Sequence, residues 1–171
     1  EKSRKLDITE DVYYEIIRQK TASLIASCCS VGASSSGAND EVVNKMRQFG
    51  EKIGMAFQIK DDLFDYGELE IGKPVGIDIK EKKMTLPLIY ALSRANWLVK
   101  RKIISIVKNE SEKPKKVKEV IDFVKQSGGI EYAINSMNTF HQDALTILNE
   151  FPDSRYRQSL IQLVQFTIDR N

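Results

Sequence analysis

Three aspartates within five residues are the feature of this sequence with the clearest chemical potential. Asp61, Asp62 and Asp65 lie in the stretch QIKDDLFDYG, residues 58–67. In a helix, Asp61 and Asp65 are neighbours one turn apart, with about 6 Å between their Cβ atoms. Their repulsion is then roughly 3 kcal/mol at an effective dielectric constant near 20, and the C-terminal end of a helix disfavours negative charge further. A cation should therefore lie there, and ligands that are all oxygen suit Mg²⁺.

Lysines near this acidic segment sharpen its interpretation. An acidic pair at the end of a surface helix is by itself more often a solvated patch than a metal site. The following segment, however, carries several lysines among glycines: Lys73, Lys80, Lys82 and Lys83. A metal that bridges phosphate oxygens, with ammonium groups on the remaining charge, fits a di- or triphosphate pocket. Lys20, next to Thr21 in an apolar helix, fits the same pocket, although a lysine extending to solvent is an equally good interpretation.

Helices are predicted to position these residues, because apolar residues recur at helical spacing and alternating strand patterns are absent. The first helix begins near residue 10, and a loop at 32–40 ends it. Further helices are predicted at about 41–66, 85–91, 97–107, 114–126, 130–149 and 154–170, with a loop at 67–83. The fold class is all-α.

Two glycines share a face of the predicted 41–66 helix with the candidate site. Gly50 and Gly54 fall in line with Gln58, Asp61 and Asp65 at 3.6 residues per turn. Each glycine costs about 1 kcal/mol of helix stability relative to alanine. The pattern predicts that a neighbouring helix or a ligand comes close to the backbone there.

Composition excludes several classes of protein. The chain has 171 residues, of which 42% are hydrophobic and 29% charged, so residues 1–171 can form one domain with a real core. The 26 basic and 24 acidic residues give no reason to expect a nucleic-acid partner. No apolar run is long enough for an integral membrane segment. Cys28 and Cys29 are adjacent and bridge poorly, so we expect a reduced protein in the cytoplasm.

Three separated segments, in this order, resemble the trans-type polyprenyl (isoprenyl) diphosphate synthases. RQKTASLIA (18–26) resembles the family's lysine-threonine-alanine segment, and GMAFQIKDDLFDYG (54–67) resembles its second aspartate-rich motif. GKPVGIDIKEKKMTLPLIYAL (72–92) resembles its lysine- and aspartate-bearing loop, and residues 151–171 its usual C-terminus. Two positions depart from the pattern: Lys82 stands where glycine is common, and Ile77 where a polar residue is common. The nearest similarity is to bacterial octaprenyl and other medium- to long-chain synthases.

The resemblance implies a Mg²⁺-dependent, head-to-tail condensation of an allylic diphosphate with isopentenyl diphosphate. The implied metal ligands are Asp61, Asp62 and Asp65, with Asp78 behind them. The implied contacts to the allylic diphosphate are Lys20, Lys73 and Lys83. The implied catalytic residues are Lys20, Thr21 and Gln58, the last two near the reacting carbons. The implied fold is the helical bundle of isoprenoid synthases, usually a homodimer, and we expect His141 and the apolar Met55, Phe57 and Phe64 to be structural.

The family's first aspartate-rich motif and a glycine-lysine-arginine segment have no counterpart in this chain. We therefore expect residues 1–171 to be the C-terminal portion of a single synthase domain, inactive by itself. Two other functions remain open. A class I terpene cyclase shares Mg²⁺ and the bundle, but usually has an Asn/Ser/Glu-type second metal motif. A non-catalytic partner subunit of a heteromeric synthase often lacks motif acids, whereas all three are present here.

Overall fold

A computed structural model of the protein describes residues 8–67 and 75–169, which are helical with no strand among them. The α-helices are α1 (Glu10–Ile17), α2 (Ser23–Ser35), α3 (Asp40–Leu63), α4 (Ile77–Lys80), α5 (Leu86–Arg94), α6 (Trp97–Asn109), α7 (Pro114–Gln126), α8 (Gly129–Asn149) and α9 (Arg155–Asp169). A π-helical turn, Arg18–Ala22, joins α1 to α2, and a 3₁₀ turn, Phe64–Tyr66, follows α3. The all-α prediction is confirmed. Within this part of the chain, every helix is too short or too polar to cross a bilayer.

Local signals account for where four of these helices begin. The side chain of Asn39 accepts a hydrogen bond from the Val42 amide, and that of Asn96 accepts one from the Val99 amide, each at 3.0 Å. Both satisfy amides that the first turn of a helix leaves without a partner. Prolines in the first turns of α5 and α7 cost nothing there, because those amides have no partner within the helix. All seven predicted helices are present, whereas α4 and the π-helical turn were not predicted.

The chain divides into two compact units. The first unit comprises residues 1–14 and 61–134 and contains α4 to α7. Its core is aliphatic: α7 packs against both α5 and α6. The fully buried side chains of this core include Ile79, Leu86, Leu88, Ile106, Val107, Val120 and Val124. The short helix α4 packs on the 3₁₀ turn that carries Asp65.

The second unit comprises residues 15–60 and 135–171, and a close helix contact lies within it. A Cβ atom on Gly54 would lie 2.6 Å from the Cα atom of Ala22, and one on Gly50 would lie 2.8 Å from the Cα atom of Ala26. The two glycines therefore let α3 approach the helical segment 18–35. Sequence left a choice between a helix and a ligand as the close neighbour, and the neighbour is a helix.

Candidate functional site

Asp62, in the last turn of α3, is buried and accepts a hydrogen bond from Tyr13. The Tyr13 hydroxyl lies 2.8 Å from Oδ2 of Asp62, and both side chains are more than 90% buried. Burial raises the pKa of Tyr13, and the neighbouring Asp62 charge raises it further, so the phenol stays protonated and donates. Sequence analysis missed Tyr13, because nothing in its helical spacing separates it from an ordinary core aromatic.

Asp65, in the 3₁₀ turn, caps the start of α4. Its Oδ1 accepts a hydrogen bond from the Asp78 amide at 3.1 Å, and its carbonyl oxygen accepts one from the Gly76 amide at 3.0 Å. Burial raises the pKa of Asp65, and the amide of Asp78 opposes that shift. Its Oδ2 is buried with no hydrogen-bond partner among the described residues. One oxygen of this carboxylate thus organises the following turn, and the other faces no donor.

The turn that begins with α4 connects this carboxylate to a lysine. Nζ of Lys83 donates to Oδ1 of Asp78 at 2.9 Å and lies 2.6 Å from Oε2 of Glu81. Burial alone would lower the pKa of Lys83, but the hydrogen bonds to Glu81 and Asp78 outweigh burial and raise it. Asp65, Asp78 and Lys83 therefore form a continuous polar network, in which Asp78 contributes its amide to one partner and its carboxylate to the other.

The backbone conformation of Lys82 explains why glycine is common at this position in the family that the sequence resembles. Lys82 has a φ of 59°, which makes it the one residue other than glycine with a left-handed conformation among residues 8–67 and 75–169. It follows the last turn of α4, where the amides of Lys82 and Lys83 donate to the carbonyl oxygens of Ile79 and Asp78 at 3.0 and 2.8 Å. Glycine adopts this conformation without strain, which gives a physical reason for glycine at this position.

The second unit contains a separate group of candidate residues. The hydroxyl of Thr21 donates a hydrogen bond of 2.8 Å to Oε1 of Gln58, which is buried. Thr21 and Lys20 both lie in the π-helical turn, and the side chain of Lys20 is exposed. Such turns often mark functional sites, because the extra residue displaces side chains from their usual helical register. Thr21 and Gln58, both expected near the reacting carbons, are thus in direct contact, on a turn that the sequence did not reveal; their catalytic role stays a prediction.

The structure brings the predicted residues together in two groups. Asp61, Asp62, Asp65, Asp78 and Lys83 belong to the first unit, and Lys20, Thr21 and Gln58 belong to the second. Lys73 lies outside the described residues.

The oxygen donors of the first group suit a metal that is partly held by its substrate. Asp61 is half-buried, and Oδ2 of Asp65 lacks a donor. Within the described ranges, no three His, Cys, Asp or Glu side chains converge as a metal site built from protein alone would require. Mg²⁺, however, is usually held by one or two carboxylates together with water and phosphate oxygens. The residues fit Mg²⁺ on that condition, and ligation by Asp61, Asp62 and Asp65 stays a prediction.

The chain is similar in sequence to a known protein family and to individual members of it. The sequence model of the family described as polyprenyl synthetase matches residues 1–124. The short chain isoprenyl diphosphate synthase of Methanothermobacter thermautotrophicus is 37% identical over 97% of this chain and 51% of its own length. Heptaprenyl diphosphate synthase component 2 of Bacillus subtilis is 34% identical over 90% of this chain and 44% of its own length.

Solved structures agree with the sequence comparisons. The crystal structure of polyprenyl synthase from Caulobacter crescentus, complexed with calcium and isoprenyl diphosphate, superposes with a TM-score of 0.88 at 30% identity. The match covers 98% of this chain and 52% of that structure. The chain thus spans about half the length of the relatives that it matches.

Proposed function

The chain belongs to the polyprenyl synthetase family, and from that premise we propose that the protein is a Mg²⁺-dependent prenyltransferase. Its reaction is the head-to-tail condensation of an allylic diphosphate with isopentenyl diphosphate, which yields a polyprenyl diphosphate. Relatives with shorter and longer named products are similarly close, so chain length stays open.

The network from Asp65 through Asp78 to Lys83 is the observation that carries the proposal. It links the carboxylate of Asp65 through Asp78 to the ammonium group of Lys83, so that a carboxylate proposed to bind metal and a cation proposed to bind phosphate belong to one hydrogen-bonded network. A solvated acidic patch has no need of this arrangement. A bound diphosphate needs both charges, because its departure from carbon must be stabilised in a site that excludes water.

Within the proposal, Asp61 is the first choice for direct metal ligation. It is the half-buried member of the three and so the most accessible to a bound ion, whereas Asp62 and Asp65 are buried. When bound, Mg²⁺ would neutralise diphosphate charge and so improve the leaving group. Lys83 would cover the charge that remains, and Asp78 would hold Lys83 in place.

In the second unit, Lys20 would bind an allylic diphosphate. Thr21 and Gln58 would act on the hydrocarbon side. Because the Thr21 hydrogen points at Gln58, the remaining lone pairs of the hydroxyl are the negative end of a dipole. An oxygen oriented in this way would stabilise positive charge that develops on the allylic carbon. We further propose a cytoplasmic homodimer; the name component 2 of the Bacillus relative favours a heteromeric assembly as the second candidate.

The test uses the full-length protein, labelled isopentenyl diphosphate and allylic diphosphates of increasing length. We expect labelled polyprenyl diphosphate with Mg²⁺ and none after chelation. Consumption of an allylic diphosphate to a hydrocarbon without isopentenyl diphosphate would show a cyclase instead. A folded protein that is inert alone but raises the turnover of a catalytic partner would show the non-catalytic subunit.

A further inference from the structure

The helical hairpin α6–α7 carries a concentration of positive charge that the rest of the chain does not share. Residues 97–126, which comprise both helices and their connection, contain nine lysines and arginines and four acidic residues. The whole chain has 26 basic and 24 acidic residues, so the remainder holds 17 basic against 20 acidic. Asymmetry of this kind indicates a surface that meets an anionic partner. The hairpin lies entirely within the first unit.

Two large apolar side chains lie in the same place. Trp97 is 66% exposed and its neighbour Leu98 is 70% exposed. Asn96 caps the helix immediately before them, with its side chain on the Val99 amide. The first turn is therefore ordered, and it holds both side chains at a fixed position instead of at a frayed end.

Helical geometry puts the apolar and basic residues on one face. At 100° per residue, the exposed residues Trp97, Leu98, Arg101, Lys102, Ser105 and Lys108 fall within an arc of about 140°. The buried residues Ile103, Ile106 and Val107 occupy the opposite side and pack into the core. α6 is thus amphipathic, and its outer face is apolar in the first turn of the helix and basic in the turns that follow.

Contacts between the two helices extend the face to α7. Lys102 on α6 and Lys116 on α7 lie 2.5 and 2.9 Å from the carboxylate of Glu119, so one acid is shared by two lysines and the pair keeps a net positive charge. Leu98, Arg101, Lys102 and Lys116 line a groove of about 330 Å³ between the helices. The guanidinium of Arg101 lies 5.4 Å from the centre of the Trp97 ring, which places cation and aromatic side by side.

We propose that this face, Trp97 to Lys108 of α6 together with Lys116 of α7, docks the protein on an anionic lipid surface. Tryptophan beside lysine and arginine is the combination that the headgroup region of a bilayer accepts, because the indole enters the interface and the cations meet lipid phosphates. A nucleic acid would use the same charge and stack on Trp97, but it gains nothing from Leu98, whereas a bilayer interface accepts both apolar side chains.

The test measures binding of the full-length protein to sedimentable vesicles. Vesicles of phosphatidylcholine alone are compared with vesicles that contain about one third phosphatidylglycerol. We expect binding to the anionic vesicles only, and about a tenfold or greater loss of affinity when salt is raised from 0.05 to 0.5 M, since exposed charges are then screened. Absence of binding by the folded protein at low salt would overturn the proposal.

Matched variants locate the surface. Trp97→Ser with Leu98→Ser should lower vesicle affinity about tenfold or more, whereas Tyr156→Ser, an aromatic residue of comparable exposure on α9, should leave it unchanged. Arg101→Ser with Lys108→Ser should weaken binding and its salt dependence. Arg47→Ser with Arg155→Ser, which removes the same charge elsewhere, should do neither. Equal losses from surface and control variants would contradict the assignment.

The fluorescence of Trp97 shows whether this face enters the lipid interface. Trp97 is the one tryptophan in the 171-residue sequence, and subtracting the signal of a Trp97→Phe variant isolates its emission in a longer chain. We expect anionic vesicles to shift this emission to the blue and lipids brominated near the headgroup to quench it. A duplex oligonucleotide that binds more tightly than vesicles, with Trp97 unquenched by lipid, would assign the face to nucleic acid and refute the membrane.

Discussion

The three aspartates of the acidic segment have different surroundings, and they should respond differently to substitution. Asp62 and Asp65 are buried and accept hydrogen bonds from the Tyr13 hydroxyl and the Asp78 amide, whereas Asp61 is half-buried. The spacing in the sequence gives no reason to distinguish the three. Their different burial predicts that substitution of Asp62 costs stability, and our proposal assigns metal ligation first to Asp61.

Asp61→Ala in the full-length enzyme should lower turnover at least about 100-fold with little change in stability, because it removes metal-binding charge without opening a cavity. Asp62→Ala should instead destabilise the fold by about 1–3 kcal/mol, since the buried Tyr13 hydroxyl loses its acceptor. Thermal unfolding and steady-state kinetics of both variants separate the two effects. Tyr13→Phe should recover part of the stability lost in Asp62→Ala, and an active Asp61→Ala enzyme would refute the metal assignment.

Lys83 should act on one substrate more than the other. Lys83→Ala is expected to raise KM for the allylic diphosphate about tenfold while changing KM for isopentenyl diphosphate less, because a lost ammonium contact weakens the bound phosphate. Asp78→Asn should reproduce part of this effect, since Asp78 holds Lys83 at 2.9 Å. The neighbouring Lys82→Gln is the charge-matched control. Equal changes in both KM values would indicate a folding defect, and Lys73→Ala should behave like Lys83→Ala.

His141 predicts a pH dependence of stability. It is buried, its Nε2 has no hydrogen-bond partner in the described structure, and burial lowers its pKa below the usual 6.5 despite the nearby charge of Asp169. The unfolded chain therefore binds a proton at a higher pH than the folded one. Stability is complete above pH 6.5 and falls on acidification until the folded pKa is reached, by about 1.4 kcal/mol for each unit between the two values.

His141→Gln cannot take up that proton, so its unfolding free energy should fall less than that of the natural protein between pH 7.5 and 5. Denaturant unfolding at several pH values measures the difference. Parallel curves would mean that His141 titrates normally in the folded protein.

The helices differ in how well the sequence predicts them. Long amphipathic segments such as α3, α7 and α8 follow from periodicity and capping residues, because their burial repeats every turn. The four-residue helix α4 has no such repeat. Contacts from outside hold it: the carboxylate of Asp65 at its start and the Ser111 hydroxyl, 3.3 Å from the Lys80 carbonyl oxygen, at its end. The π-helical turn has no sequence signature either, so the positions of Lys20 and Thr21 required the structure.

The close approach of α3 to the helical segment 18–35 predicts how the protein responds to a larger residue at Gly54. Gly54→Ala should destabilise the protein by about 1–3 kcal/mol, because the added methyl would lie 2.6 Å from the Ala22 backbone and must push the helices apart. Gly32→Ala in α2 has no atom within 4 Å and should stabilise by about 0.5–1 kcal/mol through helix propensity alone. Chemical denaturation of both variants tests the pair. Gly54→Ala should also lower turnover, since it displaces the turn that carries Thr21, and a neutral Gly54→Ala would contradict the packing described.

At the scale of the whole molecule, the second unit exposes more apolar surface than a solitary unit usually tolerates. Leu24 and Val31 on α2 are 67% and 65% exposed, and Leu163 and Phe166 on α9 are 58% and 66% exposed. Exposed apolar residues at helical spacing mark surfaces that other helices cover. The relatives of this chain are about twice as long, so they contain further residues from which such covering helices can form.

The 171-residue chain expressed by itself should therefore self-associate and show no detectable prenyl transfer. Apolar helix faces without their covering helices associate with a second copy. Departure of a diphosphate needs several cations around it, and this chain carries one aspartate-rich motif with its lysines, which supplies part of that charge. Light scattering should report a dimer or larger species, which Leu163→Glu with Phe166→Glu should reduce. Assay of the same sample with labelled isopentenyl diphosphate and a short allylic primer should give no product, and rapid turnover by a monomer would show that other residues carry the chemistry.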